Sequence, residues 1–319
     1  MRLWRDGVMT DVGWEEVGAL DWQSFGLVLG AGGMTGGAFE VGVLLALQWD
    51  HGVQPHSAAL VVGTSAGSIG GTLLSLGFDA ADIAAMVLGV EQQLTPRGRE
   101  LLSLFEVPVP AIAFHRLLRP PTPGLMVQTA MHLARRRMRM VVLGVTRRGE
   151  VDARQLLHAF AGIEWAAHPP LKICVTDADD GSRVVLDADG TVPLFDAVAA
   201  SCSVPGLMRP VECDGRQYVD GGVWSPTNAD LAAGPDRPST VVVLSPMSGG
   251  RSATVLGMVS SRFAARRLEE ELRQFHPSQT VLVIEPTQRL SLAVVDDALE
   301  PGAVAEVVLG AFTGPAARG

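Results

Sequence analysis

Short apolar runs alternate with glycine clusters and longer apolar stretches in the first part of the chain. The run Phe25–Gly30 is apolar throughout and leads into the glycine cluster Ala31–Gly37, which predicts a buried strand followed by a tight loop. The segment Ala38–Asp50 is apolar on most faces and is followed by Gly52, a residue suited to end a helix. A buried helix is therefore predicted after the glycine loop.

The same order recurs directly afterwards. Ala58–Val62 predicts a second short strand, residues 63–67 a sharp turn, and the glycine-tolerant apolar segment after them a second buried helix. The uncharged stretch Ala58–Phe78 is long enough to span a bilayer, but its many glycines and its short, β-branched first run favour a strand, turn and helix. This order is typical of a parallel α/β sheet with helices packed on it.

The remaining pattern continues the α/β interpretation. Residues 1–24 are expected to form a loosely structured N-terminal lead-in, and residues 25–319 a single domain. A helix is predicted to end before Pro205, another between the last two strands, and a third near the C-terminus. Further strands are predicted as a pair within Leu171–Gly190 and singly at Arg216–Gly222, Ser239–Pro246 and Thr280–Pro286.

Composition and charge exclude several classes of protein. Of the 319 residues 47% are apolar and 36 are glycine, which describes a folded, glycine-rich chain without disordered or collagen-like character. The net charge of −9 argues against a nucleic-acid partner. Three cysteines without CxxC or zinc-ligand spacing indicate a reducing compartment, and the first residues lack the apolar core of a signal peptide. A cytoplasmic location is expected.

The segment from about residue 95 to 150 differs from the rest of the chain. It is rich in arginine and proline and carries a positive balance of charge on an acidic body. One interpretation is a helical cap whose arginines are solvated. The other is a lid that contacts anionic lipid head groups from the periphery of a membrane. The candidate head-group residues are Arg135, Arg136, Arg137 and Arg139.

A possible nucleophile lies in the pentapeptide from Gly63 to Gly67, which has the form G-x-S-x-G. The motif requires its serine, Ser65, to occupy a strained turn that exposes the hydroxyl, while flanking glycines let strand and helix approach closely. The start of a helix also directs the positive end of a dipole toward developing negative charge. Its position between a strand and a helix makes Ser65 the candidate nucleophile.

The upstream glycine loop supplies candidate hydrogen-bond donors. Acyl transfer builds negative charge on a carbonyl oxygen, which backbone amides stabilise. Gly32, Gly33 and Met34 could offer such amides beside the turn at Ser65. A dinucleotide-binding loop is disfavoured because Thr35 stands where the third glycine of G-x-G-x-x-G belongs.

Two arrangements of the general base remain open. Asp220 precedes Gly221 and Gly222 at the end of a short predicted strand, and could form a dyad with Ser65. Alternatively, His276 could complete a Ser-Asp-His triad in the chain order of an α/β-hydrolase. An aspartate alone needs a raised pKa, as burial provides, to act as a base.

Four blocks, taken in order, resemble the patatin-like phospholipases, which are serine acyl hydrolases with a Ser-Asp dyad. The resemblance implies a three-layer α/β/α fold with a mostly parallel central sheet and a helical cap insert at about residues 95–150. It implies Ser65 as nucleophile, Asp220 as base, and the amides of Gly32, Gly33 and Met34 as the oxyanion hole. The blocks are Gly30–Gly37, Gly63–Gly67, Ala200–Pro205 and Asp220–Gly222.

The glycine loop departs from the family pattern at two positions. Ala31 replaces the first glycine of G-G-G-x-(Arg or Lys)-G, which costs little because a backbone donor needs glycine only where φ is positive. Thr35 replaces the basic residue and removes a charge near the site, which bears on head-group preference.

The resemblance implies a lipid acyl hydrolase of the phospholipase A type that cleaves carboxylic esters and needs no metal or cofactor. Its partners would be a lipid ester and an anionic membrane surface. Two alternatives are a triad esterase acting on small soluble esters and a non-catalytic, lipid-binding scaffold.

Overall fold

The apolar runs identified above become buried strands at the centre of a mixed sheet. The computed structural model describes residues 1–103, 149, 151–249, 252–296 and 301–316. Within them the strands are β1 (Arg2–Arg5), β2 (Val8–Asp11), β3 (Phe25–Leu29), β4 (Leu60–Thr64), β5 (Leu171–Asp177), β6 (Arg183–Leu186), β7 (Val211–Cys213), β8 (Arg216–Asp220), β9 (Thr240–Leu244) and β10 (Thr280–Ile284).

Helices connect and cover these strands. In chain order they are α1 (Trp14–Val17), α2 (Gly33–His51), α3 (Ala66–Ser75), α4 (Ala80–Val87), α5 (Pro96–Leu102), α6 (Ala153–Leu156), α7 (Leu194–Ser201), α8 (Val255–Leu272), α9 (Gln288–Asp296) and α10 (Val304–Ala316).

The sheet is parallel in the middle and antiparallel at its edges. The strand order is β2-β1-β10-β9-β3-β4-β5-β8-β7, with β6 paired to β5. The strands β10, β9, β3, β4 and β5 run parallel to one another, whereas β1, β6 and β8 each pair antiparallel with their neighbours. Because parallel strands share an orientation, the loops after β3, β4, β9 and β10 meet at one edge of the sheet.

Helices lie on both faces of this sheet. Side chains of successive strand residues point to opposite faces. Leu27 and Leu29 accordingly join the core that includes residues of α2, α3, α4, α7, α9 and α10. Val28 faces the other way, into a core with α8 and the short helical turn Ala229–Ala232. The predicted three-layer α/β/α fold with a mostly parallel sheet is confirmed.

The N-terminal segment differs from the expected loose lead-in. β1 and β2 form a hairpin, and β1 pairs with β10 so that the hairpin extends the sheet. Asp6 and Gly7 turn the chain with φ of 51° and 80°, as an Asp-Gly hairpin turn requires. The expectation of loose structure was wrong because this local turn signal, flanked by Leu3 and Val8, was overlooked.

The stretch Ala58–Phe78 forms β4 and α3, as predicted. Among the described residues, no helix is both long and apolar enough to cross a membrane. Most of the arginine-rich insert, including Arg135, Arg136, Arg137 and Arg139, lies outside the described residues. The two interpretations of that segment therefore stay predictions, as does the assignment of residues 25–319 to one domain.

A buried acid lies in the helix that follows the glycine loop. Glu40 of α2 is 2% exposed, and its Oε1 is buried without a hydrogen-bond partner among the described residues. Burial raises the pKa of this carboxyl well above its ordinary value, and the Gly30 amide lowers it only in part. A neutral carboxyl packed against the end of β3 is the form that burial favours.

The raised pKa predicts how stability depends on pH. Since folded Glu40 holds its proton more tightly than unfolded Glu40, the free energy of unfolding falls as pH rises above the ordinary pKa of 4.5 toward the folded value. Glu40→Gln should flatten this fall above pH 4.5, measured by urea unfolding at several pH values. The exposed Glu15→Gln should leave the slope unchanged. An equal slope in Glu40→Gln and wild type would contradict the prediction.

Candidate active site

The turn between β4 and α3 holds Ser65 in a strained conformation. Its φ of 54° and ψ of −120° are rare for a residue with a side chain and cost on the order of 1–3 kcal/mol. Its amide donates to Ser201 Oγ at 2.8 Å, and Ser201 Oγ donates in turn to the carbonyl of Cys174 at 2.8 Å. The carbonyl of Ser65 accepts from Ser68 Oγ at 2.6 Å. These bonds hold the turn from both sides.

The glycines that flank Ser65 permit the close approach that the motif predicts. A Cβ at Gly67 would lie 2.2 Å from the carbonyl oxygen of Leu29, so α3 contacts the backbone of β3 directly. A Cβ at Gly63 would lie 2.7 Å from the carbonyl oxygen of Gly67. Gly70, one turn further along α3, has ordinary contact distances, with its nearest neighbour at 3.5 Å. Of these three glycines, Gly63 and Gly67 are required by close contact with backbone atoms, and Gly70 is not.

Strand β5 brings Asp220 to Ser65. One side of β5 pairs with β6 over residues 173–176, so β4 and β8 both pair along the other side. Thr64 at the end of β4 lies opposite Cys174, and Asp220 at the end of β8 lies opposite Val175. Two adjacent residues of β5 thus pair with the residue before Ser65 and with the candidate base.

The carboxyl group of Asp220 is buried beside the serine hydroxyl. Asp220 is 5% exposed and Ser65 is 7% exposed. Burial raises the pKa of Asp220 to about 6, and hydrogen bonds from the Ser65 hydroxyl and the Gly222 amide lower it in part. The Gly222 amide lies 2.7 Å from Oδ1. Such a carboxyl is ionised at neutral pH and still basic enough to accept a proton.

The glycine loop forms the N-terminus of α2 beside both groups. The first helical hydrogen bond runs from the amide of Gly36 to the carbonyl of Gly32 at 2.9 Å, so the amides of Gly33 and Met34 precede the helical ladder. A Cβ at Gly37 would contact Cβ of Ala66 at 3.4 Å. The candidate donors Gly32, Gly33 and Met34 therefore lie at the edge of the sheet where β4 ends.

The close approach extends to the segment after Asp220. A Cβ at Gly222 would lie 3.4 Å from Cβ of Ala31. A Cβ at Gly221 would lie 2.3 Å from the carbonyl oxygen of Cys174. The structure therefore brings together Ser65, Asp220, the glycine loop, both glycines of the turn, and Gly221 and Gly222.

Sequence comparison assigns this arrangement to a family. A model of the patatin-like phospholipases matches residues 27–233, which include Ser65, Asp220 and the glycine loop. The chain belongs to the patatin-like phospholipase family. No curated protein sequence matches it.

Two solved structures are similar to this patatin-like chain at low identity. VipD from Legionella pneumophila is 14% identical with a TM-score of 0.40, and the match covers 89% of this chain and 66% of VipD. The type III effector protein ExoU is 16% identical with a TM-score of 0.33, and the match covers 91% of this chain and 53% of ExoU. The chain thus spans just under two thirds of the first protein and about half of the second.

The two departures from the patatin pattern have separate explanations. Ala31 is not among the residues with positive φ, and its amide donates to the carbonyl of Pro226 at 2.7 Å, so glycine is not needed there. Thr35 is fully buried and its hydroxyl donates to the carbonyl of Val294 in α9 at 3.2 Å. Position 35 faces α9, so the loop is hydrogen-bonded to that helix at the position where the family pattern has a basic residue.

His276 lies away from the patatin-like site. It immediately precedes β10, which begins at Thr280, whereas Ser65 follows the end of β4. In the parallel register the C-terminal ends of β10 and β4 lie at the same edge of the sheet. His276 precedes the opposite end of β10, so the length of a five-residue strand, roughly 13 Å, separates it from the edge at which Ser65 lies. The exposed imidazole pairs through Nδ1 with Ser278 Oγ at 2.8 Å. The structure does not bring His276 to Ser65.

Sequence reasoning missed the residues that support the site from behind. Ser201 belongs to the Ala200–Pro205 block, but its contact with the amide of Ser65 was not foreseen. Its presence in a block shared with the family was the available signal. Among the described residues, no group of three or more histidine, cysteine or acidic side chains could hold a metal ion.

The contacts of α3 predict different outcomes for two neighbouring glycines. Gly67→Ala should strongly destabilise the fold and abolish any activity, because the new methyl group overlaps the carbonyl oxygen of Leu29. Gly70→Ala should be tolerated and could gain up to about 1 kcal/mol from helix propensity. Thermal unfolding of both variants checks this. Equal melting temperatures would contradict the close strand-to-helix contact.

Proposed function

We propose that this protein hydrolyses carboxylic esters of lipids through an acyl-enzyme formed on Ser65, with Asp220 as the base. The observation that carries the proposal is the buried Asp220 carboxyl beside Ser65, whose pKa burial raises to about 6 and the Ser65 hydroxyl lowers in part. Membership of the patatin-like phospholipase family supports a lipid as the substrate. Phospholipids and other acyl lipids with an ester bond are the substrate class.

The reaction starts with attack of Ser65 Oγ on the acyl carbon while its proton passes to the Asp220 carboxylate. The tetrahedral intermediate carries its negative charge on the former carbonyl oxygen. The amides of Gly32, Gly33 and Met34, at the positive end of the α2 dipole, stabilise that charge. When the intermediate collapses, Asp220 returns the proton to the leaving alcohol.

In deacylation, water is the nucleophile and Ser65 Oγ is the leaving group. Water attacks the acyl-enzyme and gives its proton to Asp220, which then returns a proton to Ser65 Oγ as the fatty acid leaves. Each step moves one proton between the carboxyl and an oxygen. The chemistry draws on no metal or cofactor, and His276 has no part in it.

Three substitutions separate this dyad from a triad and from a non-catalytic scaffold. Ser65→Ala and Asp220→Asn should each lower kcat for a long-chain p-nitrophenyl ester by more than about a thousandfold. His276→Ala is the control and should stay within about twofold of wild type. A fluorophosphonate label should map to Ser65 in the wild type. Loss of activity in His276→Ala would contradict the dyad, and an inactive wild type that binds lipid vesicles would favour the scaffold.

The raised pKa of Asp220 predicts two pH effects. Because the carboxylate is the base, kcat/KM should fall as pH drops below about 6 and level off above it. Folded Asp220 also binds its proton more tightly than unfolded Asp220, so its burial costs stability above pH 6 and the cost disappears below about pH 4. At pH 8, Asp220→Asn should therefore have a free energy of unfolding higher than that of wild type by up to roughly 3 kcal/mol, and should unfold at a higher urea concentration. A less stable variant at pH 8 would contradict this cost.

A further inference from the structure

The segment Ser225–Ala229 follows Asp220-Gly221-Gly222 and carries a buried amide outside the mechanism described above. Asn228 is fully buried and adopts the left-handed conformation, with φ of 54°. Its Nδ2 donates to Thr64 Oγ1 at 3.1 Å and to the carbonyl of Ser225 at 2.7 Å. Thr64 is the residue that directly precedes Ser65.

The orientation of this amide is fixed by a cation on its other side. Arg183 Nη1 donates to Asn228 Oδ1 at 3.4 Å and forms a two-bond pair with Asp230, with both distances 2.7 Å. Since a guanidinium only donates, the oxygen of the amide faces Arg183 and the nitrogen faces Thr64.

The segment Ser225–Ala229 is itself anchored at several points. Glu271 of α8 accepts from Thr227 Oγ1 at 2.6 Å and from the amide of Ala229 at 2.9 Å. On the opposite side, the carbonyl of Pro226 accepts from the amide of Ala31, in the glycine loop, at 2.7 Å. The segment therefore contacts the glycine loop and the nucleophile strand while α8 holds it in place.

We propose that Asn228 is a positioning residue for Ser65, acting through Thr64. The Asn228–Thr64 bond fixes the strand end that enters the strained turn, while the Ser201 and Ser68 bonds fix the turn itself. The same segment ties the glycine loop and the strand end of Ser65 to the chain that leaves Asp220. The inference rests on the proposed function, since it concerns alignment of the nucleophile.

The test measures the rate constant for fluorophosphonate labelling of Ser65, together with kcat and KM for a p-nitrophenyl ester. Thr64→Val removes the acceptor with little change of shape, and Asn228→Gly removes the side chain while keeping a residue that tolerates positive φ. Each should lower the labelling rate constant and kcat by about tenfold or more and leave KM within about twofold. The double variant should lose no more activity than the more affected single variant, because the Asn228–Thr64 bond is already absent in each single variant.

Two further variants separate alignment from stability. Thr64→Ser keeps the hydroxyl and should label at nearly the wild-type rate. Thr72→Val removes the hydroxyl of another fully buried threonine, whose bond is to the carbonyl of Ser68 at 2.8 Å within the region of α3, and should leave labelling and kcat unchanged. Thermal unfolding of every variant accompanies these rates.

The outcomes distinguish this inference from the proposed function. If wild type is labelled and Ser65→Ala is not, the proposed nucleophile stands. Labelling of Thr64→Val at the wild-type rate would then overturn the role of Asn228 alone, as would an equal loss in Thr64→Ser and Thr64→Val at unchanged melting temperature. An unlabelled wild type would overturn the proposed nucleophile and this inference with it.

Discussion

The geometry of the site depends on one strand that pairs with two others along the same side. β5 is longer than its neighbours, and after the parallel pairing with β4 ends at Cys174, the antiparallel pairing with β8 begins at Val175. This change of partner delivers Asp220 next to the end of β4. The chain can then turn away only because Gly221 has no side chain, since a Cβ there would lie 2.3 Å from the carbonyl oxygen of Cys174.

Burial gives this site its chemical character and costs the fold stability. Burial raises the pKa of Glu40, Asp220 and Glu271 alike. Glu271 accepts hydrogen bonds from Thr227 and Ala229, whereas Asp220 accepts one from the Gly222 amide and has the Ser65 hydroxyl beside it. A proton moved between Ser65 and Asp220 therefore stays within a desolvated pair, where a carboxylate is a stronger base than in water.

Sequence patterns predicted the parts of this molecule that depend on local chemistry. Buried strands were predicted at Phe25–Gly30 and Ala58–Val62, close to the observed Phe25–Leu29 and Leu60–Thr64, and a sharp turn at Gly63–Gly67, because apolar runs and glycines have local consequences. The change of partner along β5 has no local signature, so nothing in the sequence indicated which side of the strand Asp220 would take. For the same reason His276 could be excluded from the site only by the register of β10. The N-terminal hairpin is different, since its Asp6–Gly7 signal was present and overlooked.

The proposed dyad can be compared with a triad by asking what a histidine would add. In a triad, an imidazole accepts the proton of the serine because the aspartate is hydrogen-bonded to the imidazole and not to the serine. Here the Ser65 hydroxyl itself lowers the pKa of the Asp220 carboxyl, and the amide of Gly222 donates to Oδ1 of that carboxyl. An imidazole placed between the two groups would have to move them apart. With the carboxyl already basic enough through burial, direct transfer to Asp220 requires no intermediate group.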